Sequence, residues 1–106
     1  MSVVNLNAEE KDLSRYPGGD LVSKGLLDLC NEIRSEEALL VLVASPGLRY
    51  LGFTIPEPEG FLRPFEDALY EALEARMPVG AHAEYNALIG KIVSFANAFG
   101  HVPAAP

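Results

Sequence analysis

Tryptophan is absent from this 106-residue chain, and Cys30 is its single cysteine. One cysteine excludes an intrachain disulfide and a metal site made of several thiolates. No apolar run approaches the roughly 20 residues that a membrane-spanning helix requires, and residues 1–5 lack the basic region and apolar core of a secretory leader. We therefore expect a cytoplasmic chain that binds no metal or cofactor and contacts no membrane.

Basic residues are also scarce. The formal net charge is −7 at pH 7, and the eight Lys and Arg residues are scattered singly along the chain. Binding to a phosphate backbone or to an anionic membrane requires clustered cations, so we expect no nucleic-acid partner. The acidic balance is typical of a chain that relies on charge for solubility, and it is also compatible with a basic protein partner.

The main feature of the sequence is a pair of apolar runs, one on either side of Pro46-Gly47. Residues 39–44 are apolar on both faces, whereas residues 50–55 alternate between apolar and other side chains. A Pro-Gly pair suits the central positions of a type II turn, so the sequence predicts a β-hairpin over these runs. The alternative for the first run is a helix, because Ser35 and the two acidic residues after it fit an N-cap and first turn. We favour the strand, since the run has no 3.6-residue period.

Three amphipathic patterns predict helices around this hairpin. One begins with Asp20 as its N-cap and runs to about residue 34, the next runs from residue 61 or 64 to 77, and the last spans 81–99. The order of elements predicts an α+β fold, helix–β-hairpin–helix–helix, in which a small antiparallel sheet packs on the helices. The apolar stripes of the helices are Val22, Leu26, Leu29 and Ile33; Phe61, Phe65, Leu69, Leu73 and Met77; and Tyr85, Leu88, Ile92, Phe95 and Phe99.

The predicted sheet needs a further strand. A two-stranded hairpin alone is marginal, and an apolar edge strand aggregates unless it is covered or paired. We expect one compact domain over residues 1–106, in which either the N-terminal arm (1–19) or a second copy completes the sheet. Residues 101–106 should form a frayed tail. A homodimer is the expected assembly.

Small side chains on one face of the last helix indicate where a close contact lies. Gly90 is inside this helix, where glycine costs about 1 kcal/mol relative to alanine. The first strand, the preceding helix or the same helix of a second copy would each fit against it. The predicted interface residues are Leu40, Leu42, Ala83, Ala87, Gly90 and Ser94.

No catalytic motif stands out, and His82 and His101 lie at opposite ends of the last helix. The small-molecule hypothesis is a pocket between sheet and helices, lined by Tyr50, Phe53 and Tyr85, with His82 or Asn86 as its polar group. These aromatic residues would otherwise belong to the core.

The function that these observations favour is that of a non-enzymatic, acidic, self-associating binding or regulatory protein, with a protein partner left open. A small-molecule-binding or enzymatic domain is one alternative. An acidic decoy or inhibitor of a basic-surfaced protein is the other.

Overall fold

The computed structural model describes residues 13–61 and 64–100, so the predicted tail and most of the predicted arm lie outside the described residues. Within these ranges the chain forms a short 3-10 turn at Leu13–Arg15 and five α-helices, and it contains no strand. The predicted α+β fold with an antiparallel sheet is therefore wrong, and the described chain is all-helical. The helices are α1 (Gly19–Cys30), α2 (Glu36–Val43), α3 (Ser45–Tyr50), α4 (Phe65–Arg76) and α5 (Ala81–Gly100).

Helix α2 replaces the first predicted strand because its N-terminus is capped. Ser35 has an extended backbone (φ −100°, ψ 169°), and its Oγ accepts a hydrogen bond from the Ala38 N–H at 3.0 Å. Glu36 and Glu37 occupy the first turn, where carboxylates favour the positive end of the helix dipole. The helical alternative for this segment is confirmed.

The missing period in α2 follows from its burial. Residues 38–42 are each 0–1 % exposed, and α2 packs against α1, α4 and α5. A helix that is covered on every side is apolar all round, so it shows no single stripe. Apolar side chains on both faces therefore marked the central helix of the fold, and not a strand.

Pro46 and Gly47 lie in the first turn of α3, which begins at Ser45 directly after the cap residue Ala44. Proline is tolerated there because the first amides of a helix have no intrahelical acceptor, and its fixed φ suits the helix. The predicted type II turn therefore does not form.

The second predicted strand does not form: Tyr50 ends α3, residues 51–52 form a turn, and residues 53–55 belong to no helix or strand. Phe53 and Ile55 are buried and Thr54 between them is exposed, so the predicted alternation is confirmed. In place of a ladder, Arg49 Nη2 donates a hydrogen bond to the Ile55 carbonyl at 2.9 Å. Alternating burial of side chains shows that one side of this segment faces the core, and it does not require a sheet.

Helix α1 begins at Gly19, one residue before the predicted N-cap. Gly18 precedes it with φ 76°, and a Cβ at Gly18 would lie 2.5 Å from the Lys91 carbonyl oxygen of α5. Glycine is thus required both by the backbone angle and by the close approach of α5. Asp20 lies in the first turn, where its negative charge interacts favourably with the positive end of the helix dipole. Its side chain makes no capping hydrogen bond.

Helix α1 ends at Cys30, four residues earlier than predicted. Glu32 takes the left-handed conformation (φ 59°), and the Ile33 N–H donates to the Asp28 carbonyl at 2.7 Å. This bond from C″ to C3 is typical of a Schellman motif, in which glycine usually holds the left-handed position. Because this position is a glutamate, the sequence carries no glycine that would have predicted the end of the helix.

One core joins the five helices. The stripes predicted for α1, α4 and α5 are confirmed within the helices, and Ile33 is half exposed because it lies beyond the end of α1. Aromatic rings close the core beside the C-terminal half of α5, where Tyr16 and Phe53 both contact Phe95 and Phe99 at centroid distances of 4.9–6.0 Å.

Candidate functional site

The structure does not bring the five predicted pocket residues together. Tyr50 ends α3 and is 90 % exposed. Phe53 is buried in the aromatic part of the core, with its ring centroid 4.9 Å from that of Phe99. Both were placed on the predicted second strand; Tyr50 instead belongs to a helix, and Phe53 follows it outside any helix or strand.

The other three pocket residues lie together on the first half of α5, beside Tyr70 of α4. Asn86 Nδ2 is 3.2 Å from His82 Nε2, and the Tyr70 and Tyr85 ring centroids are 5.5 Å apart. Burial raises the pKa of the Tyr85 hydroxyl, and the negative charges of nearby acidic residues on α4 add to this effect. Sequence reasoning missed Tyr70, because it lies outside the apolar stripe predicted for its helix. Ligand binding at these residues stays a prediction.

The six predicted interface residues divide into two groups. Leu40 and Leu42 are 0 % and 1 % exposed, because they belong to the central helix α2 and not to an edge strand. Ala83, Ala87, Gly90 and Ser94 are all exposed on α5. In this fold only the α5 group can meet a second copy.

The exposed α5 residues belong to a longer uncharged face. We define the outward face of α5 as the side opposite its buried stripe, and it extends about 21 Å at 1.5 Å per residue. None of its residues is charged, whereas 22 % of the whole chain is charged. Its members are Ala83, Asn86, Ala87, Gly90, Val93, Ser94 and Asn97, all exposed.

An apolar hollow adjoins this face between α5 and the α2–α3 junction. It encloses about 300 Å³, and no charged residue lines it. Val93, which is 50 % exposed, belongs both to the hollow and to the outward face of α5. The two features therefore form one continuous uncharged surface. The hollow is lined by Val43, Ala44, Pro46, Gly47, Leu48, Ile92, Val93 and Ala96.

A larger groove of about 630 Å³ opens on the other side of α5, and we name it the charged groove. Residues from α1, α2, α4 and α5 and from the α1–α2 connection line it. Its floor is apolar and its rim carries both signs of charge. The lining residues are Leu21, Arg34, Ser35, Glu36, Glu37, Leu40, Ala72, Arg76, Glu84, Leu88 and Lys91.

Arg76 organises the ion pairs at the rim of the charged groove. Its Nε and Nη2 bind the two carboxylate oxygens of Glu36 at 2.7 and 2.9 Å, and Nη2 lies 3.9 Å from Glu84. This two-pronged geometry is the strong form of an arginine–carboxylate pair, and it raises the pKa of the Arg76 guanidinium. It connects α4 to α2 across the surface.

A buried carboxylate fixes the wall of the groove at the α1–α2 connection. Asp28 is 6 % exposed and accepts hydrogen bonds from Lys24 Nζ at 2.7 Å and from Ser35 Oγ at 2.6 Å. These bonds, with that from Lys24 the stronger influence, hold the pKa of the Asp28 carboxyl below its ordinary value. The same Ser35 oxygen caps α2, so one hydroxyl joins both helices. Sequence reasoning missed this network; the i, i+4 spacing of Lys24 and Asp28 was its only signal.

In the described part of the chain no three His, Cys, Asp or Glu residues are grouped so that they could hold a metal ion. None of the described helices is both long and apolar enough to cross a membrane.

The fold and these surfaces define a small helical protein with an uncharged outward helix face on one side and a charged groove on the other. Comparison with protein-family models, with curated proteins and with solved structures finds no match to this chain.

Proposed function

We propose that this chain is a non-enzymatic binding or regulatory protein that associates with a second copy of itself through the outward face of α5. The observation that carries the proposal is the absence of charge along this exposed face in a chain whose net charge is −7. Contiguous apolar patches on a protein surface commonly mark contacts with other proteins, and two alanines, Gly90 and Val93 make more than half of this face apolar. The apolar hollow continues the face and enlarges it.

Gly90 supports a close approach from outside the chain. A Cβ at Gly90 would meet no atom within 4 Å among the described residues. The described residues therefore supply no packing reason for a helix glycine that costs about 1 kcal/mol relative to alanine. A second helix packed on this face would use the absence of a side chain there.

A cytoplasmic location is part of the proposal. Cys30 is exposed and unpaired with another cysteine, and such thiols suit a reducing compartment better than an oxidising one.

The test is sedimentation velocity of the wild-type chain and of two matched arginine variants over micromolar to millimolar concentrations. Ala87 lies on the outward face of α5, and Ala75 is an exposed alanine on α4 outside it. We expect the wild type and Ala75→Arg to associate, and Ala87→Arg to remain a single chain because two buried arginines would face each other across the contact. A wild type that stays a single chain throughout this range contradicts the proposal, and so does equal association of both variants.

A further inference from the structure

We propose that the charged groove binds small amphipathic carboxylates, which have an apolar body and one anionic head. This inference is independent of self-association, because the charged groove and the outward face of α5 share no residue. Its volume of about 630 Å³ falls within the roughly 300–1,000 Å³ typical of small-molecule sites.

Each acidic residue of the charged groove lies near a cation of the chain. Glu36 binds Arg76 through both carboxylate oxygens, and Glu84 lies 3.9 Å from the same guanidinium. Glu37 lies 3.9 Å from Lys24 Nζ. Each of these three carboxylates thus has a cation within 3.9 Å, although two of them share Arg76 and Lys24 also binds Asp28.

Two cations that line the charged groove take no part in these ion pairs. Within residues 13–61 and 64–100, neither Arg34 nor Lys91 has a hydrogen-bond or ion-pair partner for its side chain. Both are exposed at the rim, so two cations of the groove are available to an anionic head in a chain that is acidic overall. Guanidinium and ammonium groups bind carboxylates through charge-assisted hydrogen bonds.

The floor of the charged groove supplies the apolar half of the site. Its exposed apolar surface comes mainly from Leu21 and Ala72, which are only partly buried, because Leu40 and Leu88 are 0 % and 7 % exposed. An acyl chain or an aromatic ring on this floor would remove apolar surface from water. A carboxylate attached to it would meet Arg34 or Lys91 at the rim.

The test is a ¹H–¹⁵N NMR titration of the full chain with sodium octanoate, sodium acetate and octylammonium chloride. We expect octanoate to shift the amide signals of the groove residues in a saturable manner, and the other two compounds to leave them almost unchanged. Acetate has the head without the apolar body, and octylammonium has the same body with the opposite charge. Equal or stronger binding of octylammonium overturns the proposal, as does the absence of saturable shifts with octanoate.

Two variants locate the site. Arg34→Gln combined with Lys91→Gln should weaken octanoate binding about tenfold or more, which corresponds to about 1.4 kcal/mol. Ala72→Phe should weaken it by filling the floor while every charge is retained.

Arg15→Gln is the matched control, because Arg15 is an exposed arginine without a side-chain partner among the described residues and lies outside the groove. Undiminished binding by the double variant, or an equal loss with Arg15→Gln, refutes the assignment. Octanoate binding to Gly90→Ala, which adds no charge beside Lys91, should match the wild type, so failure of self-association and failure of this site are separable.

Discussion

Two glycines inside helices, Gly25 of α1 and Gly90 of α5, have opposite surroundings. A Cβ at Gly25 would lie 2.4 Å from Val41 Cγ2 and 2.5 Å from the Glu37 carbonyl oxygen, whereas a Cβ at Gly90 would meet nothing within 4 Å. Each glycine weakens its helix by about the same amount in isolation, about 1 kcal/mol relative to alanine. At Gly25 this cost is offset by packing within the chain, whereas at Gly90 no described residue packs close enough to offset it.

The difference shows that a helix glycine signals a close approach without saying which surface approaches. At Gly25 the close neighbour is α2, and the contact lets the central helix lie against the α1 backbone. At Gly90 the described chain leaves the space open. The same sequence feature therefore marks a contact inside the fold in one case, and in the other a surface that we assign to a second copy.

The largest effect is expected for Gly25→Ala. The new methyl group would clash with a backbone oxygen that cannot move without shifting α2, so we expect a loss of about 2–3 kcal/mol of unfolding free energy. Chemical denaturation followed by circular dichroism measures this loss. Adding Val41→Ala should recover only part of the stability, because the clash with Glu37 remains. A stability equal to or above that of the wild type would show that α1 and α2 are not this close.

A second, smaller effect on the same side of the molecule is expected for Ser35→Ala. The variant loses the N-cap of α2, which is worth about 1 kcal/mol, and removes one hydrogen bond from the buried Asp28 carboxylate. We expect a total loss of about 2 kcal/mol, since a hydrogen bond to a charged group contributes on the order of 1–2 kcal/mol. Ser35→Thr should restore most of it. Ser23→Ala, at an exposed helix position, should have almost no effect.

The pH dependence separates the two contributions of Ser35. The lowered pKa of Asp28 means that its charged form stabilises the fold above the ordinary carboxyl pKa of about 3.9. This stabilisation is lost as the pH falls through the lower folded-state pKa. The deficit of Ser35→Ala should therefore narrow in acid and leave only the capping part. A deficit that does not change between pH 7 and pH 2 would mean that Ser35 does not stabilise the Asp28 charge.

The contrast between α2 and the helices that expose one side explains how much of the fold the sequence could predict. The stripes of α1, α4 and α5 were readable because each of these helices buries one side and exposes the other, which produces the 3.6-residue period. Helix α2 has no exposed side in its middle, so periodicity could not distinguish it from a buried strand. The cap at Ser35 was the local signal that identified it correctly, but the missing period outweighed this signal. The Pro-Gly pair of the predicted turn lies in the first turn of another helix.

Little of the candidate site could be predicted in this way. The uncharged residues Ala83, Ala87, Gly90 and Ser94 were visible because they recur on one helix face. The charged groove was not, since Arg34, Arg76 and Lys91 come from distant parts of the sequence and only the packing of four helices brings them to one rim. The pairing of Arg76 with Glu36, 40 residues away, has no counterpart in any local pattern.

The smallest effect on stability, and the one of opposite sign, is expected for Gly90→Ala. With no described atom near the new methyl group, the variant should gain up to about 1 kcal/mol from the higher helix propensity of alanine. The measurement is denaturation at a low micromolar concentration, where association is least.

The same variant should associate more weakly than the wild type in sedimentation, because the methyl group would hold the two α5 helices apart. Destabilisation of the dilute chain, as expected for Gly25→Ala, would place an intrachain contact at Gly90 and remove the contrast between the two glycines. A dilute chain that gains stability while it loses association would assign the open space at Gly90 to the second copy.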